Sequence, residues 1–292
     1  MTPELPRLKP DPIPAIHPVP EYAATGTLAE AYDQTKAGLG VPWVGVVAMA
    51  FAQYPAFYGR LWSALAPVAR SAAFGAACER LRNTAEGAAA TLGPISILTR
   101  LRAQGYDTRE LDEIRACNAV FSAGNMPYLL MASLARLLLE GQGWEGAQAP
   151  GPVIAVPPPL PRPPLVEAHH ADPSTVALYA DIRETLGLPF VNTDYRAFAR
   201  WPSYFAPAWR DLRGAVVSSR YEGQVCRVHE AAIALAAGLP NVTGLTSAEL
   251  RDAAAQDAPV DEVLAVVRLF QWLLPGLALN VAFLRAQLQP AQ

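Results

Sequence analysis

Three consecutive polar residues, Asn192-Thr193-Asp194, interrupt a frame that is otherwise apolar. The frame runs from Leu186-Gly187-Leu188-Pro189-Phe190 to Arg200-Trp201-Pro202. It matches without a gap the earlier stretch from Leu39-Gly40-Val41-Pro42-Trp43 to Gln53-Tyr54-Pro55. Pro42 and Pro189, Pro55 and Pro202, Trp62 and Trp209, and Leu65 and Leu212 are each 147 positions apart. A duplicated frame is first a unit of packing, so chemistry is sought where the copies differ. The earlier copy reads Gly45-Val46-Val47 at the three polar places. A second difference of this kind is Asn125, within Gly124-Asn125-Met126-Pro127-Tyr128-Leu129-Leu130. Aligning Phe121 with Phe270, 149 positions on, sets Asn125 opposite Leu274. A carboxylate found in one copy only can serve as a base or a nucleophile, and an amide can orient what it acts on.

Both intrusions also have plain structural readings. Asn, Thr and Asp are favoured at helix starts. Asn125 could satisfy carbonyls that Pro127 leaves without donors. The apolar Gly45-Val46-Val47 weakens the capping reading, because the equivalent element starts there without such side chains. If the two copies pack about a pseudo-two-fold axis, Asp194 is expected to face Asn125. Their cavity would be largely apolar, lined by Trp43, Tyr128, Phe190 and Phe270.

The elements that must hold these residues are helical, since strand-like alternation is absent. The expected architecture is all-α: two homologous helical repeats packed as a pseudo-dimer and joined by a Pro-rich connector. The expected divisions are a proline-rich arm at 1–25, a first repeat at 26–143, a linker at 144–172 and a second repeat at 173–290. Seven prolines, Pro3, Pro6, Pro10, Pro12, Pro14, Pro18 and Pro20, preclude regular helix in the arm. The linker carries Pro150, Pro152, Pro157, Pro158, Pro159, Pro161, Pro163 and Pro164, which makes it an extended spacer. Helix starts are expected at Thr27 with Glu30, at Asp107-Thr108-Arg109-Glu110, near Asp172-Pro173-Ser174 and at Thr246-Ser247-Ala248-Glu249. A further helix is expected over Ser96–Gln104.

Composition narrows the classes. The 292 residues are 52% apolar, enough for a sizeable core, and the net charge of −3 comes with no basic cluster. That argues against a nucleic-acid partner. Cys78, Cys117 and Cys226 fit no metal spacing and no disulfide framework, and a cytoplasmic location is expected. The N-terminus does not read as a signal peptide. Val263–Leu284 is apolar, but it contains Arg268, Gln271, Pro275 and Asn280, so a buried core helix is expected rather than a membrane span. His169 and His170 read as solvated loop residues, and His229 as a surface or structural residue. Dinucleotide-binding, P-loop, nucleophile-elbow and zinc-protease motifs are missing.

The chain resembles the group I 2-haloacid dehalogenases, which act on D- or on both D- and L-2-haloalkanoic acids. The resemblance covers nearly the whole chain. It rests on Leu39-Gly40-Val41-Pro42-Trp43-Val44, on Gly124-Asn125 with Tyr128-Leu129-Leu130, and on Asp194-Tyr195-Arg196 followed by Trp201-Pro202. It implies an all-α pseudo-dimer without cofactor or metal, and a homodimer. It places the essential carboxylate at Asp194, the assisting amide at Asn125 and a pocket wall at Trp43. In relatives, the residue two before the aspartate is small where both enantiomers are taken and Asn in the D-specific type; here it is Asn192. Some relatives carry a Tyr and a Glu where this chain has Ser71-Ala72-Ala73-Phe74-Gly75, so no role of that Glu carries over.

The reaction implied replaces halide at C2 of an acid such as 2-chloropropionate. Asp194 could attack and form an ester, or activate a water. The family uses water directly, which inverts C2, so a D-haloacid gives an L-hydroxy acid. Burial against Trp43 and Phe190 is expected to raise the Asp194 pKa toward a useful value. The substrate carboxylate is expected at free backbone N–H groups of the helix start after Pro189, with Thr193 and Asn192 orienting it. Two other readings remain: a helical protein that binds small apolar acids without turnover, and a scaffold in which Asp194 and Asn125 are structural.

Overall fold

Twelve α-helices and one short 3-10 helix, Glu21–Ala23, with no strand, make up the regular structure of the described residues, 5–146 and 161–290, in a computed structural model. Pro3 of the expected arm and Pro150, Pro152, Pro157, Pro158 and Pro159 of the expected connector lie outside the described residues. The helices are α1 Gly26–Leu39, α2 Val46–Phe51, α3 Pro55–Ala69, α4 Ala72–Ala90, α5 Leu98–Ala103 and α6 Thr108–Leu139. They continue as α7 Pro173–Leu186, α8 Thr193–Phe198, α9 Pro202–Val216, α10 Tyr221–Ala237, α11 Ser247–Asp257 and α12 Val260–Gln287.

The duplicated sequence frame reappears as duplicated helix bounds. α1, α2 and α3 start and stop 147 positions before α7, α8 and α9, and the starts of α4 and α5 precede those of α10 and α11 by 149. α1 and α7 end on Gly40 and Gly187, both left-handed at φ 67 and 65, a conformation open to glycine at little cost. Pro55 and Pro202 open α3 and α9, where a missing N–H does no harm. Two tyrosines repeat a tertiary contact. Tyr32 donates to the Val19 carbonyl at 2.8 Å while the Val19 N–H donates to Met49. Tyr179 donates to the Val166 carbonyl at 2.8 Å while the Val166 N–H donates to Arg196. Val19 and Val166 precede α1 and α7, so the correspondence reaches upstream of both helices.

Several expected starts are observed. Asp107 and Glu110 each accept the other's backbone N–H at the start of α6. Asp172 accepts from Ser174 and Thr175, and Thr246 with Glu249 forms a capping box. Others differ. α1 begins at Gly26 after Thr25, which makes no side-chain cap, so Thr27 lies inside the helix. α5 is only six residues, Leu98–Ala103, and the N–H of its N-cap Ile97 donates to the Gln287 carbonyl. α6 runs on through Pro127.

The chain divides into two compact units, and neither is one half of the sequence. The first comprises Met1–Arg82, Gly124–Pro161 and His229–Pro275; the second comprises Asn83–Ala123, Arg162–Val228 and Gly276–Gln292. The first unit therefore joins α11 to α1, α2 and α3, and the second joins α5 to α7, α8 and α9. Asp257, at the end of α11, shows why: its carboxylate accepts the Ala56 and Phe57 N–H groups at 3.1 and 2.8 Å and caps α3. In the second unit, Tyr106 just after α5 hydrogen-bonds Ser203 of α9 at 2.6 Å.

A polar network is buried in the first unit. Arg136 donates to Gln271 at 2.5 Å, to Glu140 at 2.8 Å and to the Pro6 carbonyl at 3.0 Å. Gln271 also bonds His229, whose other ring nitrogen meets the Leu5 carbonyl at 2.7 Å. His229 is thus a buried structural residue tethering the arm, whereas His169 and His170 are exposed. α12 is the one helix among the described residues long and apolar enough to cross a membrane, and 83% of its most apolar stretch is buried, as in a core helix. Its polar members have partners: Arg268 pairs with Glu140 at 2.9 Å, and Gln271 and Asn280 are hydrogen-bonded.

Candidate active site

In the second unit the candidate carboxylate sits on α8. Leu186-Gly187 turns the chain out of α7, Pro189-Phe190 crosses a short loop, and Asn192 becomes the N-cap of α8. Asp194 falls in the first turn and is only 3% exposed. Capping does not account for Asn192, which makes no side-chain cap bond. Its Oδ1 is instead buried with no hydrogen-bond partner among the described residues. An unmet buried acceptor costs on the order of 1–3 kcal/mol, so the side chain is kept for something other than helix stability. Thr193 is half-buried and accepts a hydrogen bond from Arg196 at 3.3 Å. Phe190, half-buried, lies on the loop before α8. Arg196, the one cation beside the motif, is held by both carboxylate oxygens of Glu167 at 2.8 and 2.7 Å. α8 has six residues, so its backbone N–H groups act locally rather than as the end of a long dipole.

Asp194 has an acidic neighbour in kind only. Burial pushes the Cys117 thiol up to about 12, and the negative charge of Asp194 adds to that shift. Cys117 therefore stays a neutral thiol and is no competing nucleophile.

In the first unit the candidates gather on the Trp43 loop and on α6. Trp43 lies buried between α1 and α2. The Tyr128 hydroxyl donates to the Trp43 carbonyl and accepts from the Gly45 N–H, each at 2.8 Å. Burial pushes its phenol far above the ordinary range, so it remains neutral. Tyr128 thus clamps the Trp43 loop, with its hydroxyl committed to the backbone. Asn125, 6% exposed, follows Gly124 on α6. Phe270 of α12 is buried edge-on against Phe51, centroids 6.0 Å apart.

Two glycines in this unit carry information that the sequence left unread. A Cβ on Gly124 would stand 2.7 Å from the Trp43 ring, and one on Gly45 would stand 2.8 Å from the Tyr128 ring. Gly45 is the counterpart of Asn192, so its apolarity has a packing cause of its own. The signal was Gly124 inside a helical stretch, where glycine is disfavoured without a packing reason. In the segment that lacks the Glu of some relatives, Ser71 is buried and its hydroxyl accepts the Phe74 N–H at 3.2 Å, which caps α4. Among the described residues no cluster of three or more His, Cys, Asp and Glu side chains could hold a metal ion.

No protein-family model matches the chain. An (R)-2-haloacid dehalogenase of Rhizobium sp. (strain NHG3) is 45% identical over 243 residues, covering 82% of this chain and 93% of the relative. The chain belongs to the (R)-2-haloacid dehalogenase family. A second (R)-2-haloacid dehalogenase, from Pseudomonas putida, is 37% identical over 281 residues, 93% of this chain and 92% of that one. The fold agrees with the family as well. A solved D-2-haloacid dehalogenase, in complex with L-LA, superposes with a TM-score of 0.88 at 36% identity, covering 98% of this chain and 99% of that one.

Proposed function

We propose that the chain hydrolyses short 2-haloalkanoic acids, such as 2-chloropropionate, to 2-hydroxy acids, with preference for the D (R) enantiomer. The observation that carries this reading is a buried carboxylate, Asp194, in the first turn of α8, inside a chain 45% identical to an (R)-2-haloacid dehalogenase. Asp194 takes a proton from water as that water attacks C2, and halide leaves from the opposite side. Backside displacement inverts C2. The family resemblance assigns to Asn125 the assisting amide that orients the water. Such positioning is worth several kcal/mol of barrier, of order 7 or more in well-aligned systems. Phe190, half-buried on the loop before α8, offers apolar surface for the short alkyl chain and the halogen, and the family resemblance assigns a pocket wall to Trp43. Tyr128 acts by fixing Trp43, and Asn192 with Thr193 meets the polar end of the substrate.

The reaction needs no electron transfer and no group carrier, so the residues alone suffice and no cofactor is invoked. A homodimer, as the family resemblance implies, in the cytoplasm, as the cysteine usage implies, completes the proposal.

The test is halide release. Wild type is expected to release chloride faster from D- than from L-2-chloropropionate. Asp194→Asn should lose on the order of 10²–10⁴ in turnover, the range of a general base, while unfolding at the same temperature as wild type. Wild-type turnover in Asp194→Asn would overturn the assignment. Loss of stability in step with loss of rate would favour the scaffold reading.

A further inference from the structure

The polar triplet is not the only place where the second half departs from the first. Asn280 of α12, 1% exposed, donates from Nδ2 to the Tyr195 hydroxyl at 2.9 Å. Its Oδ1 accepts from the Tyr221 hydroxyl, at the start of α10, at 2.8 Å. By the offset of 147 that relates α2 to α8, Tyr195 corresponds to Ala48; by the offset of 149 that aligns Phe121 with Phe270 and the start of α4 with that of α10, Asn280 corresponds to Met131 and Tyr221 to Ala72. All three members of this buried chain are therefore polar in the second half and apolar in the first. A core that needed only to be filled would use apolar residues at both places, because a buried polar group must be fully paired to avoid a penalty. Where the first half packs its counterparts of α8, α10 and α12 with methyl groups and a thioether, the second half uses directional bonds.

The beneficiary is adjacent in sequence. Tyr195 directly follows Asp194 in the first turn of α8, a helix of only six residues with no side-chain cap. Its ring is fully buried, lies parallel to Phe205 at 6.1 Å and meets Trp209 edge-on at 6.2 Å, both on α9. Stacking fixes the plane of the ring but leaves it free to slide in that plane. The hydroxyl bond to Asn280 stops the slide, and Tyr221 holds the Asn280 amide in turn.

We propose that Asn280 and Tyr221 are positioning residues that act through Tyr195 to set the Asp194 carboxylate against the water it activates. The proposal rests on the role given to Asp194 above. It adds a reason why Tyr195, and not its counterpart Ala48, is tied through Asn280 of α12 to Tyr221 of α10.

The experiment compares Tyr195→Phe, Asn280→Leu, Tyr221→Phe and the Tyr195→Phe/Tyr221→Phe pair, beside Asp194→Asn, by chloride release with D-2-chloropropionate. Each single variant is expected to lower kcat by roughly 10- to 100-fold with KM within about two-fold, as a small misplacement of a reacting group does. The pair should be no slower than the slower single, because both hydroxyls serve one path. Wild-type kcat in the two tyrosine variants overturns the proposal. So do losses that multiply in the pair, or a rise in KM with kcat kept. If Asn280→Leu does not fold, the tyrosine variants decide, since each keeps its ring and loses one oxygen. If Asp194→Asn keeps wild-type turnover, the function assigned to Asp194 fails, a result distinct from an inactive Asp194→Asn beside unaffected tyrosine variants.

Discussion

The Tyr128 hydroxyl bridges two backbone groups of the Trp43 loop, the Trp43 carbonyl and the Gly45 N–H, at 2.8 Å each. A tyrosine on a long helix thereby ties down the backbone of Trp43, 85 residues away in the chain. Tyr128→Phe would leave a buried donor and a buried acceptor unpaired. It is expected to cost about 2–3 kcal/mol, read as a lower midpoint in denaturant with an unchanged slope. The freed loop should also raise KM for the haloacid more than it lowers kcat. Unchanged stability would show that water replaces the hydroxyl.

Gly124 makes the opposite kind of prediction. In a helix, glycine to alanine ordinarily adds up to ~1 kcal/mol of stability. Here the new methyl group would stand 2.7 Å from the Trp43 ring, so the indole must move. Gly124→Ala is expected to fold, to melt within a few degrees of wild type, and to lose at least roughly ten-fold in kcat/KM, as a misplaced site element does. Full activity would mean that Trp43 is no part of the pocket.

Asn192 is the test of handedness. Its Oδ1 is buried without a partner among the described residues, so its removal should cost little stability, under ~1 kcal/mol. Asn192→Ala is expected to narrow the ratio of D to L turnover. The measurement is chloride release from each enantiomer separately, and an unchanged ratio would free Asn192 from that role.

Acid stability should be governed in part by Glu140. Its carboxyl is raised by burial but lowered more by Arg136 and Arg268, so the net shift is downward. A folded-state pKa below the unfolded value, near 4.3, stabilises the fold above that pH. The contribution is lost as pH falls through the depressed pKa. Glu140→Gln should therefore destabilise the protein at neutral pH and flatten the acid limb of its stability curve. Equal losses at pH 7 and pH 3 would contradict this. Because Arg136 is buried, the neutral-pH cost is expected near 3 kcal/mol.

What the sequence alone determined was periodic or local. The all-helical class followed from spacing, and the offset of 147 gave the correspondence between the stretches that form α1 to α3 and those that form α7 to α9. Capping pairs such as Asp107 with Glu110 and Thr246 with Glu249 were legible because both partners lie within one helical turn. Asp194, Asn125 and Asn192 stood out because two copies of one frame differed there. Tertiary structure decided the rest. It assigned α11 to the unit of α3 and α5 to that of α9, through contacts such as Asp257 with the start of α3, some 200 residues away. It gave the Tyr128 hydroxyl its two backbone partners beside Trp43, gave Gly124 and Gly45 their reasons, and revealed the chain of Tyr221, Asn280 and Tyr195. None of these could be read along the chain. A hydrogen bond or a close approach depends on which surfaces meet, and residue spacing fixes a helix face without naming the face opposite it.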